Sequence, residues 1–400
     1  MNSVERRIFI LTYMAYASYY LTRLNYSVAI PSISGDLQYS KFTLGLIGGA
    51  FSITYAIGQF VNGQLVESFG AKRIALLGLI LSAIMSLSFG YADLLILFIV
   101  IWSINGYAQS TGWPSVIKII SNWFKSSLGT IGGIFGSCFL VGNMVAWPLL
   151  GYITANYGWR VAFTAPPLLL VLMATIFYLG VNENPKETEH VIIKTGVPNV
   201  KSRFKQILLS KGLLITSLAY MLLQFVRSGF TLWAPSYLFE TWGLSLDITG
   251  YVAAIIPLGG IIGSTIFGWL SDRAKKLGRQ TITFLLILSL SLTLLAFQYA
   301  ASYSLQLGIT LLFLSGLTLY APHILIATVI PIEHRESHGA ASVAGFIDGM
   351  GYVGSTFADP FIGWIVDVQG WSGAITFWLI SSLASAFLMG LLSWNARKKR

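Results

Sequence analysis

Residues 8–31 read IFILTYMAYASYYLTRLNYSVAIP, an apolar run that carries one full charge, Arg23, near its middle. A helix over 8–33 rises 1.5 Å per residue, which puts Arg23 within about 4 Å of its centre. If the run crosses a bilayer, an arginine there costs roughly 2.5–3.5 kcal/mol on insertion scales. The chain accepts the arrangement twice. Arg227 lies 204 residues further on, inside the apolar run 212–238. It falls within about 3 Å of that run's centre by the same rise.

Composition makes these runs membrane spans rather than core helices. The chain is 55% hydrophobic and 10% charged, with a mean hydropathy of +0.72. Soluble domains carry about 25% charged residues. Forty glycines fit helices that pack closely in lipid. The single cysteine, Cys138, allows no intrachain disulfide. The first run is too long for the apolar core of a signal peptide and lacks a small-residue cleavage site, so it is expected to remain as the first span.

Twelve spans are predicted, near 8–33, 42–66, 74–91, 94–121, 128–154, 160–181, 212–238, 246–271, 280–299, 304–331, 338–366 and 371–394. Each approaches or exceeds the ~20 residues that a spanning helix needs. With the N-terminus inside, 20 of the 25 lysines and arginines fall in inner segments, while Lys41 and Arg160 are outside. That bias puts both termini in the cytoplasm and explains the net charge of +10 without a nucleic-acid partner. Of the three basic residues within spans, Lys118 is near an inner end and can snorkel. Residues 182–211 break the apolar pattern and read as a cytoplasmic linker. They divide the chain into a six-span unit over 1–181 and a second over 212–400.

The two units echo each other. Gly63 and Glu67 precede Lys72-Arg73 after the second span; Gly268 precedes Asp272-Arg273 after the eighth. Gly158-Trp159 corresponds to Gly370-Trp371, and Pro114 to Pro322. Parallel repeats of this kind put a substrate site at their interface near the midplane. The segments 63–73 and 268–279 are predicted gating loops, with the glycine allowing close approach and the acid capping or pairing with the nearby arginine.

Each central arginine lies on a polar stripe, with Tyr19, Tyr20 and Ser27 around Arg23, and Gln224 and Thr231 around Arg227. Guanidinium presents a planar fork of donors that matches phosphate or carboxylate. An anion site is therefore expected. The other reading is structural ion pairing with Asp348 or Asp359.

Several stretches resemble the organophosphate:phosphate antiporter family of the major facilitator superfamily. They are Tyr19-Tyr20-Leu21-Thr22-Arg23-Leu24-Asn25 with Ala29-Ile30-Pro31, Gln109 through Pro114 with Asn122-Trp123-Phe124, and Arg227 with Trp233, Pro235 and Tyr237-Leu238. Gly345-Phe346, Gly351 through Gly354 and Gly370-Trp371 belong to the same likeness, and the second gating segment matches better than the first. The resemblance implies an all-helical membrane protein of two pseudo-symmetric six-helix bundles. It implies exchange of glycerol phosphate or hexose phosphate for inorganic phosphate by rocker-switch alternating access. On that likeness Arg23 and Arg227 grip phosphate, and Tyr20, Tyr55, Tyr320 and Tyr352 line the cavity with Gln59, Gln224 and His323. Asp348 is a counter-ion or proton carrier. Gln59, Phe139 and Leu24 stand where the family carries lysine, histidine and lysine, so the site has less positive charge.

Two rivals remain open: a proton-coupled symporter of organic anions using Asp348, and a transporter-like sugar-phosphate sensor. The sequence carries no catalytic, metal or nucleotide motif at workable spacing, and the pair His334 and His338 reads as a solvated loop or helix start. No cofactor and no partner chain are expected; the protein is expected to be a monomer in the plasma membrane.

Overall fold

The computed structural model describes residues 1–124, 134–185, 209–273, 278–300, 303–330 and 340–398, and these form helices and no strand. Ten of the helices are long and apolar enough to cross a membrane. The last, Gly345–Asn395, turns at Gly370 (φ 69°, ψ −173°) and is two spans. The first span, 3–37, is interrupted and therefore stands outside the ten. The described chain thus makes twelve crossings in two pseudo-symmetric sets of six. An even number of crossings brings both termini to one face, here the terminal face; the opposite is the far face.

Local sequence explains where the spans begin. The first helix starts in a reciprocal cap: Glu5 N donates to Asn2 Oδ1 at 2.8 Å, and Asn2 N to Glu5 Oε2 at 2.9 Å. Ser40 caps Lys41–Phe69 through Thr43 N, and Ser304 caps Leu305–Ile324 through Leu307 N. Exposed Leu77, Leu168, Leu179 and Phe387 face outward as lipid-facing residues do.

The repeat is built into bonds as well as sequence. Gly158 and Gly370 both adopt positive φ, 85° and 69°, between spans. The tryptophan after each donates to an acid near the far end of the first span of its half. Trp159 Nε1 reaches Asp36 Oδ2 at 2.7 Å and Trp371 Nε1 reaches Glu240 Oε2 at 3.0 Å. Asp36 and Glu240 are 204 residues apart, the same offset as Arg23 and Arg227.

The far face is sealed. A Cβ at Gly45 would stand 2.5 Å from Asp359 O, so the second and eleventh spans pack backbone to backbone. A Cβ at Gly250 would strike Trp147 O, closing the fifth span on the eighth. Ser27 Oγ donates to Thr231 O at 2.8 Å and Leu232 O at 3.0 Å across the first and seventh spans. At the rim, Lys41 Nζ pairs with Glu240 at 3.2 Å, while the backbone N–H groups of Lys41 and Phe42 donate to Asp367.

Gly63 and Gly268 are helical rather than in loops, since their helices run on to Phe69 and Arg273. The turns come at Gly70 and Gly278, both with positive φ. Among the described residues, nothing lies within 4 Å of a Cβ at Gly63 or Gly268, so the expected close approach is not made by them. Arg73 is exposed, and Arg273 lies over Trp269 at 4.2 Å. The side chains of Glu67 and Asp272, most of the expected linker, and His190, His334 and His338 lie outside the described residues.

Candidate functional site

The first span breaks where it carries its charge. Helix Ser3–Ser18 gives way to a 3-10 turn over Tyr19–Thr22, Arg23 takes φ −117° and ψ −50°, and the helix resumes at Leu24–Leu37. A break at membrane depth frees carbonyl oxygens that must be paired within the protein. Two fourth-span side chains, one turn apart, pair them. Asn105 Nδ2 donates to Thr22 O at 2.9 Å, and Gln109 Nε2 to Thr22 O at 3.1 Å and Tyr19 O at 3.3 Å. The other end of Gln109 accepts Arg23 Nε at 2.7 Å. One amide therefore links the backbone break to the orientation of the guanidinium. Arg23 also donates to Tyr20 Oη at 3.4 Å and lies over the rings of Tyr55, Tyr20 and Phe51 at 4.7, 4.9 and 5.2 Å.

Arg227 is held more loosely. It stands on the helix Lys211–Trp242, with Nη1 donating to Gln224 Oε1 at 3.2 Å. Its Cζ lies 5.6 Å from the Phe139 ring, and its buried Nε has no partner among the described residues. Among the described residues neither arginine has a carboxylate within ion-pair distance. The acids that might have paired with them bond elsewhere. Asp359, 3% exposed, accepts from Ser228 and, at 3.2 Å, from Ser52 across the halves. Asp348 accepts from Tyr220 at 3.2 Å. Both guanidinium groups are partly buried and, among the described residues, unpaired by any acid.

A cavity of about 290 Å³ opens on the terminal side of Arg227. Tyr20, Tyr55, Tyr352, Gln59, His323 and Asp348 line it, together with Trp113 and Phe139. A smaller chamber, about 80 Å³, lies on the far side and is lined by Arg23, Arg227, Ser52, Tyr352 and Asp359. Arg227 and Tyr352 belong to both. Tyr55 and Tyr352, from opposite halves, stack with centroids 4.4 Å apart. In this conformation Arg23 thus lines the chamber, under the rings of Tyr20 and Tyr55, rather than the larger cavity.

Two expected lining residues stand behind the wall. Tyr320 is fully buried against Phe139 and His323 and is absent from the lining, though its Oη has no partner. Gln224, 1% exposed, acts through Arg227. Sequence reasoning missed Asn105 and Tyr220, and it named Gln109 and Phe139 by motif position without their contacts to the arginines. Asn105 and Gln109 could have been found as polar residues at i and i+4 on a strongly apolar helix.

A family model described as Major Facilitator Superfamily matches residues 12–358. A relative in Chlamydia pneumoniae, the probable hexose phosphate transport protein, is 27% identical, over 98% of this chain and 92% of its own. The glycerol-3-phosphate transporter of Bacillus subtilis is 28% identical, over 98% and 93%. Among solved structures, a bacterial homolog of the human lysosomal transporter Spinster, inward-facing and unoccupied, superposes with a TM-score of 0.84 at 16% identity. That superposition covers 100% of this chain and 99% of the other.

Proposed function

We propose that this protein, which belongs to the major facilitator superfamily, moves a small phosphorylated organic anion across the membrane in exchange for inorganic phosphate. The observation that supports the reading is the pair of partly buried mid-span arginines without a carboxylate partner among the described residues, one lining the cavity and one just behind it. The names of the two relatives support phosphate as the anion.

Exchange follows from electrostatics. Two like charges facing one cavity repel, by roughly 1.7 kcal/mol at a separation of about 10 Å and an effective dielectric of 20. A phosphate that reaches Arg227 and draws Arg23 from beneath its rings cancels that repulsion and pulls the halves together. The units 1–181 and 212–400, joined through 182–211, then rock about the site and open the other face. An empty carrier keeps the repulsion and recloses poorly. The excess of basic residues in the segments read as inner supports a cytoplasmic side for both termini of a plasma-membrane protein, and the cycle as drawn needs only a monomer.

Proteoliposomes loaded with phosphate should take up labelled phosphate faster than empty ones. Equal rates would sink obligatory exchange. Accumulation driven by a pH gradient without internal phosphate would favour proton symport, and binding without flux would favour a sensor.

A further inference from the structure

Among the described residues, Asp359 is the one acid on the wall of the smaller chamber, and it stands where the two halves meet. Its buried carboxylate takes one hydroxyl from each half. Ser52 Oγ of the second span donates to Oδ2 at 3.2 Å, and Ser228 Oγ of the seventh donates to Oδ1. No basic group among the described residues lies within ion-pair distance of it. An ionised carboxylate offers about four lone-pair sites, so two hydroxyl groups satisfy it only in part. An ionisable side chain at membrane depth is by default read as part of an ion pathway.

The surrounding atoms favour a cation. Thr231 and Ser355 line the same chamber. Thr231 Oγ1 is buried with no partner among the described residues, and Ser355 Oγ makes a contact at 3.5 Å, to Gly351 O. One carboxylate and these hydroxyl groups are hard oxygen ligands, and no histidine or cysteine is among the described residues of the wall. Such oxygens suit alkali and alkaline-earth cations rather than zinc or copper. A single carboxylate matches a single positive charge. At roughly 30 Å³ per water, a chamber of about 80 Å³ has room for one ion and one or two waters.

We propose that the chamber binds a sodium ion, held by Asp359, Ser52, Ser228 and Thr231, together with the transported anion. This rests on the reading that Arg23 and Arg227 hold the anion. Both arginines are on the chamber wall and oppose a cation while no anion is bound. A phosphate dianion brings two negative charges to them and removes that opposition. Sodium and phosphate therefore bind cooperatively, and each raises the affinity of the other by the same factor. Ser52 belongs to the N-terminal half, while Asp359, Ser228 and Thr231 belong to the C-terminal half, so the site is complete only while the far face is closed. When the halves part there, the ligands separate and sodium enters from the far face; closure completes its shell. Coupling ions of transporters bind in this region, between the repeats near the midplane.

The test titrates the purified protein with inorganic phosphate, reading the shift in Tm in sodium chloride and in choline chloride at equal ionic strength. Phosphate should bind about fivefold or more tighter in sodium, the lower end of ordinary coupling between sites. Asp359→Asn, which keeps the size and removes the charge, should bind phosphate equally in the two salts. Ser52→Ala should show a reduced sodium effect. Equal phosphate affinity in the two salts for the unmodified protein would overturn the proposal. So would a sodium effect unchanged in Asp359→Asn or, should that variant not fold, in Ser52→Ala. Equilibrium binding of labelled sodium separates the parent reading. Saturable binding that Asp359→Asn abolishes, with no phosphate shift in either salt, strikes the arginine reading and leaves the cation site. Neither sodium binding nor a phosphate shift would overturn both.

Discussion

Arg23 and Arg227 occupy equivalent positions in two halves of one repeat, yet their surroundings differ. Arg23 sits on a broken helix, its Nε fixed by Gln109 at 2.7 Å and its guanidinium under three aromatic rings. Arg227 sits on an uninterrupted helix with one 3.2 Å bond, one ring and a free Nε. The repeat fixes where the charges stand; the neighbours decide how far each is committed before ligand arrives. The N-terminal half is preorganised, and the C-terminal half waits. Preorganisation lowers the ordering cost of binding; on the proposed reading, the more loosely held Arg227 is the side chain freer to move to a ligand.

The largest expected effect is loss of either charge. Truncating one member of a buried charged contact costs about 2–5 kcal/mol, or roughly 30- to 3,000-fold at 1.4 kcal/mol per decade. Arg227→Ala and Arg23→Ala should each lower kcat/KM for phosphate exchange by that much. If Arg227 makes first contact, its loss should also abolish the phosphate-induced Tm shift, while Arg23→Ala keeps a weakened shift. Near-normal exchange by either variant would remove the paired grip.

The second test aims at the asymmetry itself. Gln109→Leu removes the bond to Arg23 Nε and leaves the Tyr19 and Thr22 carbonyls with fewer partners. Bonds to charged groups contribute about 1.5–3 kcal/mol, so a ten- to hundredfold loss of kcat/KM with a lowered Tm is expected. Gln224→Leu loses one bond but also removes a buried amide donor that has no partner. Its effect should stay within about three- to tenfold. Equal losses would mean that the two arginines are held alike in solution.

How much of this was legible in the sequence follows from what each signal measures. Hydropathy reports whether a segment can lie in lipid, and it located the spans to within a few residues where they are described. Charge at mid-span reports a solvation cost, and it pointed to both arginines. Neither reports backbone geometry. The break at Tyr19–Thr22 contains no proline or glycine and is stabilised by Asn105 and Gln109, more than 80 residues away. Tyr320 was expected at the wall by motif position, but Phe139 and His323 stand against it. Gly63 and Gly268 were expected at close contacts, yet no described residue lies within 4 Å of a Cβ at either. Those contacts depend on the state of the carrier, which local sequence does not encode.

Phe139 offers a finer way to sharpen the comparison. Its ring is the one aromatic face near Arg227 among the described residues, at 5.6 Å, and it stacks on His323 with centroids 5.9 Å apart. Arg23 has three such faces. A cation–π contact contributes about 0.5–2 kcal/mol depending on desolvation. Phe139→Leu should therefore raise KM for phosphate about two- to fivefold with little change in kcat, because Arg227 loses the one ring it lies over among the described residues. Phe51→Leu should have less effect, because two rings remain over Arg23. The reverse order would place the looser arginine in the N-terminal half.

The smallest effect tests whether the arginine asymmetry is tied to the sealed far face. Lys41 pairs with Glu240, and Glu240 also accepts from Trp371, so the rim joins the second span to the seventh, the helix of Arg227. Both side chains are partly exposed, and such a pair contributes about 0–1 kcal/mol. That is enough to move a two-state equilibrium by up to about fivefold. With Cys138→Ser as background, the chain has no other cysteine. A cysteine introduced at Ser355, on the wall of the small chamber, then reports access from the far face. Adding Lys41→Ala should raise its labelling by an impermeant thiol reagent about two- to fivefold, and phosphate should change that rate further because it acts on the same rocking motion. Labelling that rises in Lys41→Ala but ignores phosphate would separate the rim from the arginines, and the loose hold on Arg227 would then be a local property of its helix.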